Sequence, residues 1–162
     1  MVRYARLDRS RSGIVAIEGP RGAGKTTLAV VVAREMGVRS ATGPRPEPGE
    51  TEAAFQLRVE EWMVGFVEGV PRGGVAVLDR GWLSTEVYRG LLDRPGPSAR
   101  YASTFLPTFV GGVSVLLSAS DETLDEARGR TEFLERERAA WRALDVRGVL
   151  RYRRIGAFYD GG

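Results

Sequence analysis

No cysteine, no histidine and no asparagine occur in this chain, and Lys25 is the one lysine among its 24 basic residues. Without cysteine or histidine there is no disulfide, no thiol nucleophile, no imidazole base, and none of the usual ligand sets for zinc. No apolar stretch is long enough to cross a bilayer, and the opening residues M-V-R-Y-A-R-L-D-R-S carry charge without the apolar segment of a secretory signal. The expectation is a cytoplasmic protein with no membrane partner. Repeats, low-complexity tracts and convincing linkers are also missing, so the 162 residues read as one domain, 1–162. Chemistry is left to carboxylates, arginines, Lys25 and a metal ion.

The lone lysine sits in Gly19-Pro20-Arg21-Gly22-Ala23-Gly24-Lys25-Thr26, a complete G-x-x-x-x-G-K-[ST] loop. Before it, Gly13 to Glu18 (G-I-V-A-I-E) is a short apolar, β-branched run that reads as a buried strand; after it, Thr26 to Met36 reads as a helix. The glycines let successive backbone N–H groups turn inward around an anion at the positive end of the new helix. Lys25 then reaches the β- and γ-phosphates of a nucleoside triphosphate, and the Thr26 hydroxyl takes a Mg²⁺ position. ATP and Mg²⁺ are the expected cofactors.

The composition is 43% apolar and 28% charged, with net charge +3 and a sequence pI near 9.7. Solvated Arg/Glu helix faces in an arginine-biased chain account for that balance, and so does an anionic substrate; the two are compatible. Arginine's planar fork suits phosphate better than a lysine point charge does.

Strands alternate with helices along the chain. Val38 to Thr42 is a weak second strand, followed by a Pro/Gly-rich loop from Gly43 to Thr51. Glu52 to Val70 carries Phe55, Val59, Trp62, Met63, Phe66 and Val67 at helical spacing, a stripe expected to face the core. Val75 to Asp79 is a third strand ending in a carboxylate; helices are expected over 82–92 and 99–109. Val113 to Leu117 is a fourth strand, Leu124 to Leu144 is helical with a break near Gly129, and Val149 to Ile155 is a fifth strand. This order predicts an α/β P-loop NTPase fold, a parallel five-stranded sheet with helices on both faces. A GTPase would need an N-K-x-D motif, which a chain with no asparagine and one lysine cannot supply. AAA-type ATPases usually place a second acid after the strand's aspartate, and here Arg80 follows Asp79.

The run Asp79-Arg80-Gly81-Trp82-Leu83-Ser84-Thr85-Glu86-Val87-Tyr88-Arg89-Gly90 resembles the D-R-[YS]-x-x-S-x-x-A-Y-Q-G signature of thymidylate kinases. Ile17-Glu18-Gly19 through Lys25-Thr26-Thr27 is similar to that family's F-E-G-x-[DE]-G-[AS]-G-K-[ST]-T, and Arg45-Pro46-Glu47-Pro48-Gly49-Glu50-Thr51 to its R-E-P-G-G-T loop with one extra residue. Arg58 precedes Asp79 at the family's spacing between a base-contacting helix arginine and the D-R motif. Downstream, Val113 to Ser118 resembles the strand ending in L-D-V, with Ser118 for the aspartate. Glu126 to Trp141 looks like a shortened lid, approximately 125–133, and its helix, and Arg154-Ile155-Gly156-Ala157 resembles the terminal strand and adenine loop.

The resemblance implies a kinase that moves a phosphoryl group from ATP to a deoxynucleoside monophosphate. Lys25 and the backbone of Gly19, Gly22, Ala23, Gly24, Thr26 and Thr27 would hold ATP, Thr26 and Asp79 would organise Mg²⁺, and Arg80 would grip the acceptor phosphate. Arg128 and Arg130 are both candidates for the lid arginine that reaches the transferred phosphoryl. On the acceptor side, Arg58 would bond the base, Thr85 would lie near its Watson–Crick edge, and Tyr88 would pack beside the deoxyribose, disfavouring a 2′-hydroxyl; Arg21, Arg45 and Ser84 complete that side. A homodimer is compatible with the resemblance. No general base is required, because charge in the loose transition state spreads over equatorial oxygens that cations stabilise.

Departures concentrate on the acceptor side. Arg21 stands where the family has an acid that engages a 3′-hydroxyl, and Gly81 replaces an aromatic or serine. Ala54 occupies the place of a base-stacking aromatic, with the adjacent Phe55 expected to project about 100° away on the helix. An arginine at 21 would welcome a phosphate, so a hydroxymethylated pyrimidine such as hydroxymethyluracil within DNA is an alternative acceptor. A non-catalytic nucleotide-binding protein is a third reading, against which Gly24-Lys25-Thr26, Asp79 and Arg80 argue.

Overall fold

The computed structural model describes residues 13–103, 113–144 and 150–153. Five strands form one sheet in the order β2-β3-β1-β4-β5: β1 Gly13–Glu18, β2 Ser40–Thr42, β3 Val75–Asp79, β4 Val113–Ser118 and β5 Leu150–Arg153. All pairings between them are parallel. The helices, in chain order, are α1 Lys25–Met36, α2 Glu52–Glu68, α3 Trp82–Leu91, α4 Asp121–Arg128 and α5 Glu132–Ala143. A further helical stretch covers 99–103, so the helix expected over 99–109 lies partly outside the described residues, as does the Arg154-Ile155-Gly156-Ala157 segment.

β1 is the central strand, and all six of its residues are buried. That is why it reads as a continuous apolar run, both faces of a parallel sheet being covered. Ile14 and Ala16 join Ala76 and Leu78 of β3 on one face, packed by Met63, Val64 and Val67 of α2 and by Tyr101. Val15 and Ile17 join Val77 on the other, against Ala29 and Ala33 of α1. The alternation follows the two-residue period of a strand, and each large apolar side chain so buried contributes about 1.5–3 kcal/mol.

Several boundaries differ from the sequence reading. β2 begins at Ser40 rather than Val38, since Val38 turns in to pack under α1 and the strand is a short, largely exposed edge. α2 ends at Glu68, and the expected helix from Leu124 splits into α4 and α5. Ser120 starts α4 by accepting from Thr123 N–H, Gly129 at φ 73° ends it, and Thr131 caps α5 by accepting from Leu134 N–H.

From β1 the chain moves to one side for β2 and β3 and to the other for β4 and β5, opening a crevice at the carboxyl ends of the strands, where α/β proteins bind ligands. Register puts Thr42 opposite Asp79 and Asp79 opposite Ile17 at that edge.

Candidate active site

The glycine-rich loop between β1 and α1 wraps the crevice floor. Gly19 has φ 137°, and a Cβ there would lie 2.2 Å from the Leu117 carbonyl oxygen, so only glycine lets the loop cross the end of β4. Lys25 is buried, and its ammonium donates to the Pro20 carbonyl at 2.6 Å. Burial, and next the neighbouring Arg80, push the ammonium down from 10.5 to about 7, with Asp79, Glu137 and Glu18 acting in the opposite direction. An anion in the loop would return the proton.

Thr26 donates its hydroxyl proton to Asp79 Oδ2 at 2.5 Å. Asp79 Oδ1 is buried with no hydrogen-bond partner among the described residues. A carboxylate oxygen left over beside a hydroxyl is the hard-oxygen donor set that Mg²⁺ takes together with phosphate and water, so these two residues fit the metal. Arg80, next along, has φ 76°, unusual for a non-glycine residue, and donates from Nη1 to the Tyr88 hydroxyl at 3.0 Å.

Glu18 holds that bend in place. Fully buried at the end of β1, it accepts from Gly81 N–H and Leu83 N–H at 3.0 Å, and from Ser84 N–H at 3.1 Å and the Ser84 hydroxyl at 2.5 Å. Burial raises its carboxyl pKa against the pull of those donors. A Cβ at position 81 would lie 2.8 Å from the Ala16 Cβ and 3.0 Å from Glu18 Oε1, which explains the glycine after Asp79-Arg80. Ser84 lines the acceptor cavity, but its hydroxyl proton is given to Glu18.

Arg21 sits between the loop and α5. Its guanidinium is 5.6 Å from the Tyr88 ring centre and 5.1 Å from that of Phe133. Glu137, fully buried on α5, accepts from the Arg21 backbone N–H at 3.1 Å and from the Tyr88 hydroxyl. Glu18 and Glu137 were invisible as site residues in the sequence, the first being one letter of a motif and the second one glutamate in an Arg/Glu-rich helix.

Two cavities meet here. The first, about 470 Å³, is lined by the loop residues Arg21, Gly22, Gly24, Lys25, Thr26 and Thr27 together with Arg80, Ala127 and Arg128. Arg130 lies outside it, paired with Asp125 at 3.4 Å and Glu135 at 3.5 Å. The second, about 650 Å³, runs toward α2 and includes Arg45, Phe55, Gln56, Thr85, Tyr88 and Arg94. Phe55 therefore faces this cavity, contrary to the expectation from helical angle, because α2 turns the Phe55-Val59-Met63 stripe to the crevice as well as the core. Arg58 does not line it. Its guanidinium bonds Glu50 at 2.8 and 2.6 Å and the Arg45 carbonyl at 2.8 Å, holding Glu50 at about 2 and tying the Pro-rich loop to α2.

The parallel sheet and the glycine-rich loop between β1 and α1 make this a P-loop α/β fold. No protein-family model matches the chain. Among solved structures it is similar to deoxyadenosine kinase from M. mycoides with the products dCMP and dCDP (TM-score 0.57, 14% identity, 88% of this chain and 89% of that one). It is similar also to thymidylate kinase from Ehrlichia chaffeensis (0.59, 16%, 93% and 91%) and to the YorR protein from Bacillus subtilis in complex with phosphorylated GDP (0.59, 17%, 86% and 84%). At these identities the likeness is one of fold. Among the described residues no helix is long and apolar enough to cross a membrane.

Proposed function

We propose that the chain is a single P-loop kinase domain, 1–162, that transfers the γ-phosphoryl group of ATP to a deoxynucleoside monophosphate. The observation that carries this reading is the junction of the two cavities: Arg21, Thr26 and Arg80 line both. A donor phosphate held by Lys25 and the loop N–H groups would thus face an acceptor phosphate held by Arg80. Mg²⁺, when bound by Thr26 and Asp79, supplies charge on the donor phosphates. Arg80 positions the acceptor, Arg128 is placed to stabilise charge on the transferred group, and Tyr88 closes the sugar position against a 2′-hydroxyl.

The acceptor cavity supports a monophosphate over a nucleoside. Its described lining carries Arg21, Arg45 and Arg80 near one carboxylate, Asp79, which is already engaged by Thr26. A nucleoside hydroxyl would need a base to take its proton, whereas a phosphate oxygen attacks as an anion. A hydroxymethyluracil-containing DNA strand, with Arg21 against its 3′-phosphate, and a non-catalytic nucleotide-binding role are the competing readings; no finding favours either.

ADP release should be followed with dTMP, dUMP, hydroxymethyl-dUMP, dCMP, dGMP, dAMP, deoxycytidine and hydroxymethyluracil-containing DNA. Turnover confined to monophosphates is the expected result. Turnover confined to DNA or nucleosides, or none at all, contradicts the proposal.

A further inference from the structure

The residue expected to read the acceptor base, Arg58, is tied to Glu50. Another arginine stands in the cavity instead. Arg94, in the loop after α3, has a side chain only 8% exposed. Its guanidinium lies 5.0 Å from the centre of the Phe55 ring. It donates from Nε to Glu52 Oε2 at 2.7 Å and from Nη1 to Gln56 Oε1 at 3.2 Å, and its Nη2 is in ion-pair contact with the same Glu52 oxygen at 2.6 Å. Each terminal nitrogen then keeps at least one N–H group with no hydrogen bond among the described residues, and two such groups are what the end-on fork of a guanidinium uses for bidentate contacts.

Gln56 is also locked. It is 1% exposed, and its Nε2 donates to Glu60 Oε1 at 3.1 Å. Glu60 is fixed in turn by Arg89 at 2.9 Å and Ser98 N–H at 3.0 Å. A carboxylate only accepts and a guanidinium only donates, so the amide cannot flip. Its oxygen is committed to Arg94, and what it can still offer the cavity is the second Nε2 proton.

We infer that Arg94 and Gln56 form a donor-only pair that selects an acceptor base with two adjacent hydrogen-bond acceptors, guanine N7/O6 or cytosine N3/O2, and rejects adenine. Adenine sets an amine beside each edge nitrogen, so a donor would face a donor. The flat walls made by Phe55, Trp62 and Met63 accept any base, which leaves discrimination to the polar end.

This inference rests on the acceptor reading above, but binding tests it without turnover. The quenching of tryptophan fluorescence, with Trp62 in the cavity wall, or calorimetry would give affinities for dGMP, dCMP, dTMP and dAMP. The wild-type protein should bind dGMP or dCMP roughly tenfold or more tighter than dAMP. Arg94→Leu should erase that preference while leaving ATP affinity and dAMP affinity within about threefold. Arg94→Lys, which keeps the charge and loses the fork, should lose most of the preference and serves if the leucine variant does not fold. In turnover, KM for the favoured acceptor should rise with kcat little changed. Wild-type binding of dAMP as tight as that of dGMP and dCMP, an equal loss on all four nucleotides, or a lysine variant with the full preference would each overturn the inference. Base-selective binding without any phosphoryl transfer would leave it standing and remove the kinase reading.

Discussion

The donor and acceptor ends of the crevice are built by different means. The donor end is built chiefly on one continuous segment, 19–27, with Gly22, Gly24, Lys25, Thr26 and Thr27 lining its cavity. The acceptor end is assembled from β1, the Pro-rich loop, α2, the segment 79–94 and α5, and is held in shape by four carboxylates, of which Glu18, Glu60 and Glu137 are buried. Glu18 fixes the bend at Arg80, Glu60 fixes Gln56, Glu50 holds Arg58, and Glu137 joins α5 to Tyr88 and Arg21. A backbone site tolerates any nucleoside triphosphate, whereas a side-chain mosaic can be retuned one residue at a time. On the proposed function, catalysis resides in the first end and specificity in the second.

The sharpest way to break that division is Lys25→Ala, which should lower kcat/KM at least about 10²-fold with the fold retained, one preorganised charge being worth roughly 3 kcal/mol or more. Steady-state rates within a few-fold of wild type would take Lys25 out of the mechanism. Next in size is Glu18→Gln. It keeps an acceptor for Gly81 and Leu83 but sets an amide donor against the Ser84 N–H and hydroxyl. Stability should fall by about 2–3 kcal/mol, read as a loss of roughly 5 °C or more in Tm. An unchanged Tm would mean that Glu18 does not hold the bend.

Lys25 gives a smaller, pH-dependent effect at the donor end. With its folded value at about 7 against 10.5 when unfolded, the ligand-free fold binds fewer protons between those values, so its stability rises with pH across that window. Bound phosphate restores the ammonium, so nucleotide binding takes up a proton and weakens as pH rises above about 7. Calorimetry of ATP binding at pH ~8 in buffers of different ionisation enthalpy should show uptake that Lys25→Ala lacks; equal uptake in both proteins would contradict this. Smallest is Arg58→Ala. Since Arg58 ties the Pro-rich loop to α2 through Glu50, acceptor KM should rise only a few-fold, equally for every base, with Tm little changed. A base-selective loss would return Arg58 to the role its spacing suggested.

The same contrast governs what was legible in the sequence. The loop, β1, β3 and the break at Gly129 could be read because each depends on neighbours along the chain: glycines before a helix, an apolar run, a left-handed residue ahead of a Thr cap. The acceptor mosaic could not. Glu137 meets Arg21 across 116 residues and Glu18 meets Gly81 across 63, and no local pattern separates those glutamates from solvated ones. Arg58 has the right spacing for a base contact, but spacing cannot show that Glu50 reaches it first. Phe55 was misplaced because α2 serves the core and the cavity with one stripe.

With the two cavities meeting at Arg80, the proposed kinase passes phosphoryl directly between bound nucleotides. ATP labelled in its γ-phosphate, incubated with the protein and an equimolar mixture of the four deoxynucleoside monophosphates, tests it by mass analysis of the products. The account predicts label in the β-position of a deoxynucleoside diphosphate, with little released as free phosphate and none transferred by Lys25→Ala. Label appearing only as inorganic phosphate, or on the protein itself, would contradict it.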